Sequence, residues 1–149
     1  MSVPGQSASF VLFEVSGSTW GVQSEAVKSV EMAGHVTAVP NALPFVEGIT
    51  LTRGQVIPRI NLRLRFGFPR IPTDLRARMI VVQSKNRTAG MLVDSAREFI
   101  SIPVDAIHPP DEADRAGTSG FSIKYLDGIA TLGSRIVLIL NLEEVIEGI

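Results

Sequence analysis

The sequence predicts an all-β chain made of two copies of one small unit. Three observations carry this. Apolar, β-branched runs of strand length recur along all 149 residues, each closed by Gly, Ser, Asn or Pro. Residues 45–66 read as a β-hairpin: Ile49 and Leu51 lead into Arg53-Gly54, and Val56, Ile57 and Ile60 follow. The chain also aligns with itself. Moved by 69 positions, residues 10–13 fall on 79–82, Trp20-Gly21-Val22 on Ala89-Gly90-Met91, and Val39-Pro40 on His108-Pro109. Moved by 80, residues 45–49 fall on 125–129 and residues 57–62 on 137–142. Six aligned positions are identical, among them two Gly and one Pro, which fix backbone geometry. The 11-residue difference between the offsets is read as an insertion in the polar stretch 111–120. Such a unit, repeated, implies two small barrels or sandwiches. Neither is large enough to be comfortable alone, and a groove between them is a natural binding site.

Residues 1–7 read as a disordered tail without the basic and apolar regions of a signal peptide, and the domain proper as 8–149. Residues 10–15 form a strand, 16–18 a turn and 19–22 the return strand. Ser24 is placed to cap a helical turn over residues 25–28, which would set Val27 and Val30 on one face. Gly34 breaks the run, and residues 36–39 form a short strand stopped by Pro40 and Pro44. In the hairpin, Gly54 supplies a positive φ. Arg53 stands at the tip, either as a partner contact or as one more solvated turn residue. Pro58 lacks an N–H and implies an edge strand or a bulge. After Asn61, two readings compete over residues 62–66: a capped helical turn ended by Gly67, or a strand with alternating Leu62, Leu64 and Phe66.

A proline-punctuated connector covers residues 67–74. Strands follow at 78–83 and 88–93 around a polar turn, then a short apolar segment at 99–102. Residues 111–120 read as a mobile loop. A second hairpin spans 125–130 and 135–140. Asn141 and Glu144 have capping-box spacing before a short C-terminal helix, with Leu142, Val145 and Ile146 as its apolar face and Gly148 as its end. Barrel one is assigned mainly to 10–67 and barrel two mainly to 76–147, with strand exchange between them left open.

Composition excludes much. Cysteine is absent, which removes disulfides, thiol catalysis and cysteine metal sites and fits a reducing cytosol. No apolar run approaches the ~18 residues of a membrane span. The net charge of −1 offers no global attraction to nucleic acid or anionic lipid. The charges are uneven, however. Arg53, Arg59, Arg63, Arg65, Arg70, Arg76 and Arg78 crowd residues 53–78, which leaves a nucleic-acid-binding barrel as the alternative function. His35 and His108 stand in separate loops, and no metal spacing, nucleophile elbow, Walker loop or dinucleotide fingerprint occurs. Asp94, at a strand end, reads as a turn-former or cap before a catalytic acid. Neither catalysis nor a cofactor is expected; a binding module is.

Several motifs, in order, resemble the CheW family of chemotaxis coupling proteins. They are Phe10-Val-Leu-Phe13, Ala38-Val-Pro-Asn-Ala-Leu-Pro-Phe-Val-Glu-Gly48, Arg53-Gly-Gln-Val-Ile-Pro58, Asn61-Leu-Arg63, Ala89-Gly-Met-Leu-Val-Asp-Ser95 and Tyr125-Leu-Asp-Gly-Ile-Ala130. The resemblance implies two packed five-stranded SH3-like barrels and a non-catalytic cytoplasmic adaptor recruited to receptor arrays. It implies two partners, the helical tip of chemoreceptors and the regulatory domain of a sensor histidine kinase, with weak self-association in rings. It implies a receptor groove lined by Val27, Val30, Ala96 and Phe99, with Gly48 and Arg53 near it. The kinase contact is implied only as a region, the strand ends of the second barrel. Against the family pattern, Leu51 and Thr52 replace Asn-Leu before Arg-Gly, Ser29 replaces a Glu able to pair with the tip Arg, and Asn61 replaces an Asp. Glu31 is the candidate substitute partner for Arg53.

Overall fold

The computed structural model describes residues 5–110 and 123–149, so the loop expected at 111–120 lies outside the described residues. Eleven strands and two short helices occur there: β1 (Ser7–Val15), β2 (Ser18–Gln23), β3 (Val27–Met32), β4 (Val46–Thr52), β5 (Gln55–Asn61), α1 (Leu62–Phe66), β6 (Arg78–Ser84), β7 (Arg87–Val93), β8 (Ser95–Pro103), β9 (Ile107–His108), β10 (Leu126–Leu132), β11 (Arg135–Leu140) and α2 (Leu142–Ile146). Three-residue 310 turns stand at Ser24–Ala26, Val104–Ala106 and Ile123–Tyr125.

Two sheets form, in the orders β8-β1-β2-β11-β10-β9 and β3-β6-β7-β5-β4. Their first five strands correspond one to one. The sixth, β9, is a two-residue bridge from His108 to Ile129, and its counterpart is the single bridge between Thr37 and Ile49. Residues 36–39 are therefore not a strand but this one bridge, held by the Thr37 and Ile49 backbones in both directions at 2.8 Å. The bridge also corrects the repeat. His108 answers to Thr37, an offset of 71, so the pairing of Val39-Pro40 with His108-Pro109 is two residues out of structural register.

Each sheet takes strands from both halves of the sequence. β3 follows β2 but pairs with β6, and β8 follows β7 but pairs with β1. The exchange creates three cores by strand alternation. Phe10 and Leu12 of β1 point into the six-stranded barrel with Ile102, Val137 and Ile139. Met79 and Val81 of β6 point into the five-stranded barrel with Ile57. Val11, Phe13 and Val15, with Ile80, Val82, Ala89 and Met91, face the other way into the largest cluster, which both barrels share. Trp20, wholly buried there, lies 4.6 Å from the Phe66 ring, and Phe66 lies 5.3 Å from Tyr125.

Local chemistry explains the ends. Asn61 accepts a bond from the Leu64 N–H at 3.2 Å and Gly67 takes φ 92°, so the helical reading of residues 62–66 wins over the strand. Asn141 caps α2 in the matching way, while its own N–H goes to the Tyr125 carbonyl and not to Glu144. Ser24 makes no cap bond. Its turn ends at Ala26 and extended chain resumes at Val27, against the expected helix over 25–28. Pro58 lies inside its sheet, on neither an edge strand nor a bulge. It is tolerated because its partner Ile49 exchanges both backbone groups with Thr37, and the ladder to β7 begins only at Arg59.

Candidate partner-binding site

Two β-bulges place the four apolar residues expected to line a groove. In β3, Val27 pairs with Val82, Ser29 with Val81 and Val30 with Ile80, which leaves Lys28 as the extra residue. In β8, Ala96 pairs with Phe13, Glu98 with Leu12 and Phe99 with Val11, which leaves Arg97 extra. One added residue resets the alternation of a strand. Val27 and Val30 therefore share the face of Val82 and Ile80, and Ala96 and Phe99 that of Phe13 and Val11. All four of those partners belong to the core shared by the barrels. Val27 and Ala96 pack against it. Three residues on, Val30 is 41% exposed and Phe99 66%. The common face of Val27 and Val30 is thus made by a bulge, not by the helical turn that spacing suggested.

Arg53 occupies the β4–β5 turn with φ 49°, followed by Gly54 at 78°, the geometry of a two-residue hairpin loop. Its side chain is 75% exposed, with Nε 3.7 Å from the Glu31 carboxylate. Glu31 accepts hydrogen bonds from Ser29 Oγ at 2.6 Å and from Thr52 Oγ1 at 2.7 Å. The Ser29 and Thr52 hydroxyls, and then Arg53, hold the Glu31 carboxyl below the usual glutamate range against the opposing pull of burial. The Ser29–Thr52 cradle was missed in the sequence because it needs the strand pairing. The repeat held a signal: the positions matching Glu31 and Thr52 are Ile100 and Leu132, both packed on an apolar barrel interior.

Gly48 presents no side chain to a partner. It is buried in the bulge where Glu47 is the extra residue of β4, with φ 144°, and a Cβ there would lie 2.0 Å from the Thr37 carbonyl oxygen. Its role is to let β4 close on Thr37.

The other arginines of the basic stretch are engaged within the molecule. Arg59 is buried on Glu47 at 2.8 Å, and Arg70 reaches the other oxygen of that carboxylate at 3.0 Å. Arg63 forks onto Asp94, which also accepts the Ser16 N–H, so Asp94 joins a helix to two turns. Arg65 donates to the Glu144, Val145 and Glu147 carbonyls and stacks 4.0 Å over Phe45. Arg76 pairs with Asp74, and Arg78 bonds the Leu75 and Ala77 carbonyls. No strip of free guanidinium groups remains along residues 53–78 to follow a phosphate backbone, which gives the nucleic-acid reading no support. Among the described residues no group of three His, Asp or Glu is placed to hold a metal, and no helix is long and apolar enough to cross a membrane.

A family model described as the CheW-like domain matches residues 9–149. The chain belongs to the CheW-like family. It is 27% identical to the chemotaxis protein CheW of Klebsiella aerogenes, over 92% of this chain and 80% of that one. It is 38% identical to protein FrzA of Myxococcus xanthus, over 68% of this chain and 63% of that one. It superimposes on the crystal structure of the scaffolding protein TtCheW from Thermoanaerobacter tengcongensis with a TM-score of 0.85 and 27% identity, covering 95% and 94% of the two chains. The architecture is thus all-β, two SH3-like barrels with a short C-terminal helix. In this CheW-like chain residues 29 and 52 both carry hydroxyls. Ser29 and Thr52 are the two hydroxyls that hold Glu31 beside Arg53.

Proposed function

We propose that this protein is a non-catalytic adaptor that couples chemoreceptors to a sensor histidine kinase in a chemosensory array. The receptor's helical tip lies along the face of Val27, Val30, Ala96 and Phe99, and Arg53 engages it from the hairpin tip. The observation that carries this is the pair of bulges at Lys28 and Arg97. They set Val30 and Phe99 on the face of the shared core, beyond Val27 and Ala96, where both stand exposed as large apolar side chains. Such side chains suit an amphipathic helix, which lays its apolar anchors on an apolar face. The same-fold regulatory domain of the kinase meets the strand ends of the six-stranded barrel, and recruitment to the membrane comes through the receptor.

The test is affinity capture from the native organism after mild crosslinking, using wild type, Phe99→Ala and Arg53→Ala. Wild type is expected to recover a histidine kinase together with receptors. The two variants are expected to lose receptors and retain the kinase with unchanged thermal stability. Recovery of neither class by wild type, or equal recovery of receptors by all three proteins, contradicts the proposal.

A further inference from the structure

The two halves of this molecule hold corresponding clefts, and only one is filled. In the five-stranded barrel the cleft beside α1 is lined by Asn61, Arg63 and Leu92 and is closed by connector residues Ile71, Pro72 and Thr73, leaving ≈ 90 Å³. Arg70 of that connector binds Glu47, which also takes Asn61 Nδ2 at 3.0 Å. The matching positions in the six-stranded barrel are Asn141, Glu143 and Gln23, with Asp127 in the place of Glu47. They line an open cleft of ≈ 410 Å³ beside α2, floored by Val22 and Leu140. Among the described residues nothing plays the connector's part there.

The charges differ in one direction. Glu47 meets Arg59 and Arg70, whereas Asp127 has no ionic partner among the described residues, and the position matching Arg59 is Ile139. Where the filled side has the Arg63–Asp94 pair, the matching positions carry two carboxylates, Glu143, which lines the open cleft, and Glu25. Among the described residues the cation that meets Glu143 is Lys85, 3.6 Å away and largely solvated. The filled cleft thus shows, within this chain, how an extended arginine-bearing segment is held at these positions.

We infer that the open cleft beside α2 is a docking site for an extended, arginine-bearing segment of another protein, held as the connector is held in the other barrel. Its arginine would donate to Asp127, as Arg70 donates through one Nη to Glu47 at 3.0 Å, with Glu143 beside it. The inference stands on the internal comparison and does not depend on the adaptor reading.

The probe is a synthetic peptide with the sequence of residues 67–76, titrated into the isotope-labelled full chain and followed by amide chemical shifts. Shifts are expected at Gln23, Asp127, Asn141 and Glu143. Affinity is expected to fall about tenfold when Arg70 of the peptide becomes Ala, and by a similar factor in Asp127→Asn/Glu143→Gln, as for loss of a charge-assisted pair. Because the peptide substitution leaves the protein untouched, a folding defect cannot imitate it. No shifts at millimolar peptide, shifts indifferent to loss of the arginine, or shifts confined to the Glu47 side would each overturn the inference.

Discussion

Glu31 shows how single residues tune this surface. An acid facing a barrel interior is costly unless its charge is satisfied, and Ser29, Thr52 and Arg53 satisfy it from three directions. Its folded pKa lies below the ordinary value of 4.5. The stability it contributes is therefore present above that value and lost as pH falls through the folded one. Thr52→Val is expected to raise the Glu31 titration midpoint toward the ordinary value, read from carboxyl carbon shifts against pH; an unmoved midpoint would show that the hydroxyl is not what holds it. Gly48→Ala is expected to destabilise the fold by more than ~2 kcal/mol, because a Cβ collides with backbone and the positive φ is unfavourable. Chemical denaturation checks this, and a near-neutral result would remove Gly48 from its assigned role. At this scale Arg53 was legible, since a hairpin tip is a local pattern. The Ser29–Glu31–Thr52 cradle was not, since Thr52 stands 21 positions from Glu31 and reaches it only through sheet pairing.

At the scale of elements, most hairpins could be read directly, because their turns carry Gly, Ser or Asn and their strands are apolar. The bulges could not. Their extra residues are Lys28 and Arg97, long charged side chains without the glycine that marks some bulges. Pro58 misled for a related reason: it signals a missing donor, and only the Thr37 bridge shows that no donor was required there. Because Val30 and Phe99 lie on bulged edge strands and are exposed, replacing either with Ala is expected to change stability by less than about 1 kcal/mol. A loss of several kcal/mol in denaturant would mean that they serve the core. Arg65 is the opposite case. Carried by α1, it binds the three carbonyls at the C-terminal end of α2, about 80 positions away. Arg65→Ala is expected to cost on the order of 2 kcal/mol and to speed amide exchange in α2, since charge-assisted bonds to otherwise unpaired carbonyls are lost. Unchanged exchange in α2 would contradict its role as a cap.

At the scale of the molecule, the repeat was legible because Gly, Pro and Asn recur at geometric necessities. The exchange of β3 and β8 was not, because both strands follow their neighbours by short links and sequence order favours pairing at home. The consequence is an interlocked pair of barrels around one shared core, in which neither half of the sequence owns a complete sheet. A fragment of residues 1–76 would leave β1 and β2 without β8 and β11, and β3 and β5 without β6 and β7. It is expected to show no cooperative thermal transition by circular dichroism, whereas a sharp transition would mean that the halves fold independently. The same exchange carries the functional claim, because it sets two bulged edge strands against one core and leaves Val30 and Phe99 exposed on the core-side face. The most direct test is an amide-shift titration of the labelled chain with a purified receptor-tip helical hairpin. Perturbations are expected to centre on β3, β8 and the turn at Arg53, and to be abolished in Val30→Ala/Phe99→Ala while the spectrum stays that of a folded protein. Binding that maps elsewhere, or that survives the double substitution, would contradict the functional claim.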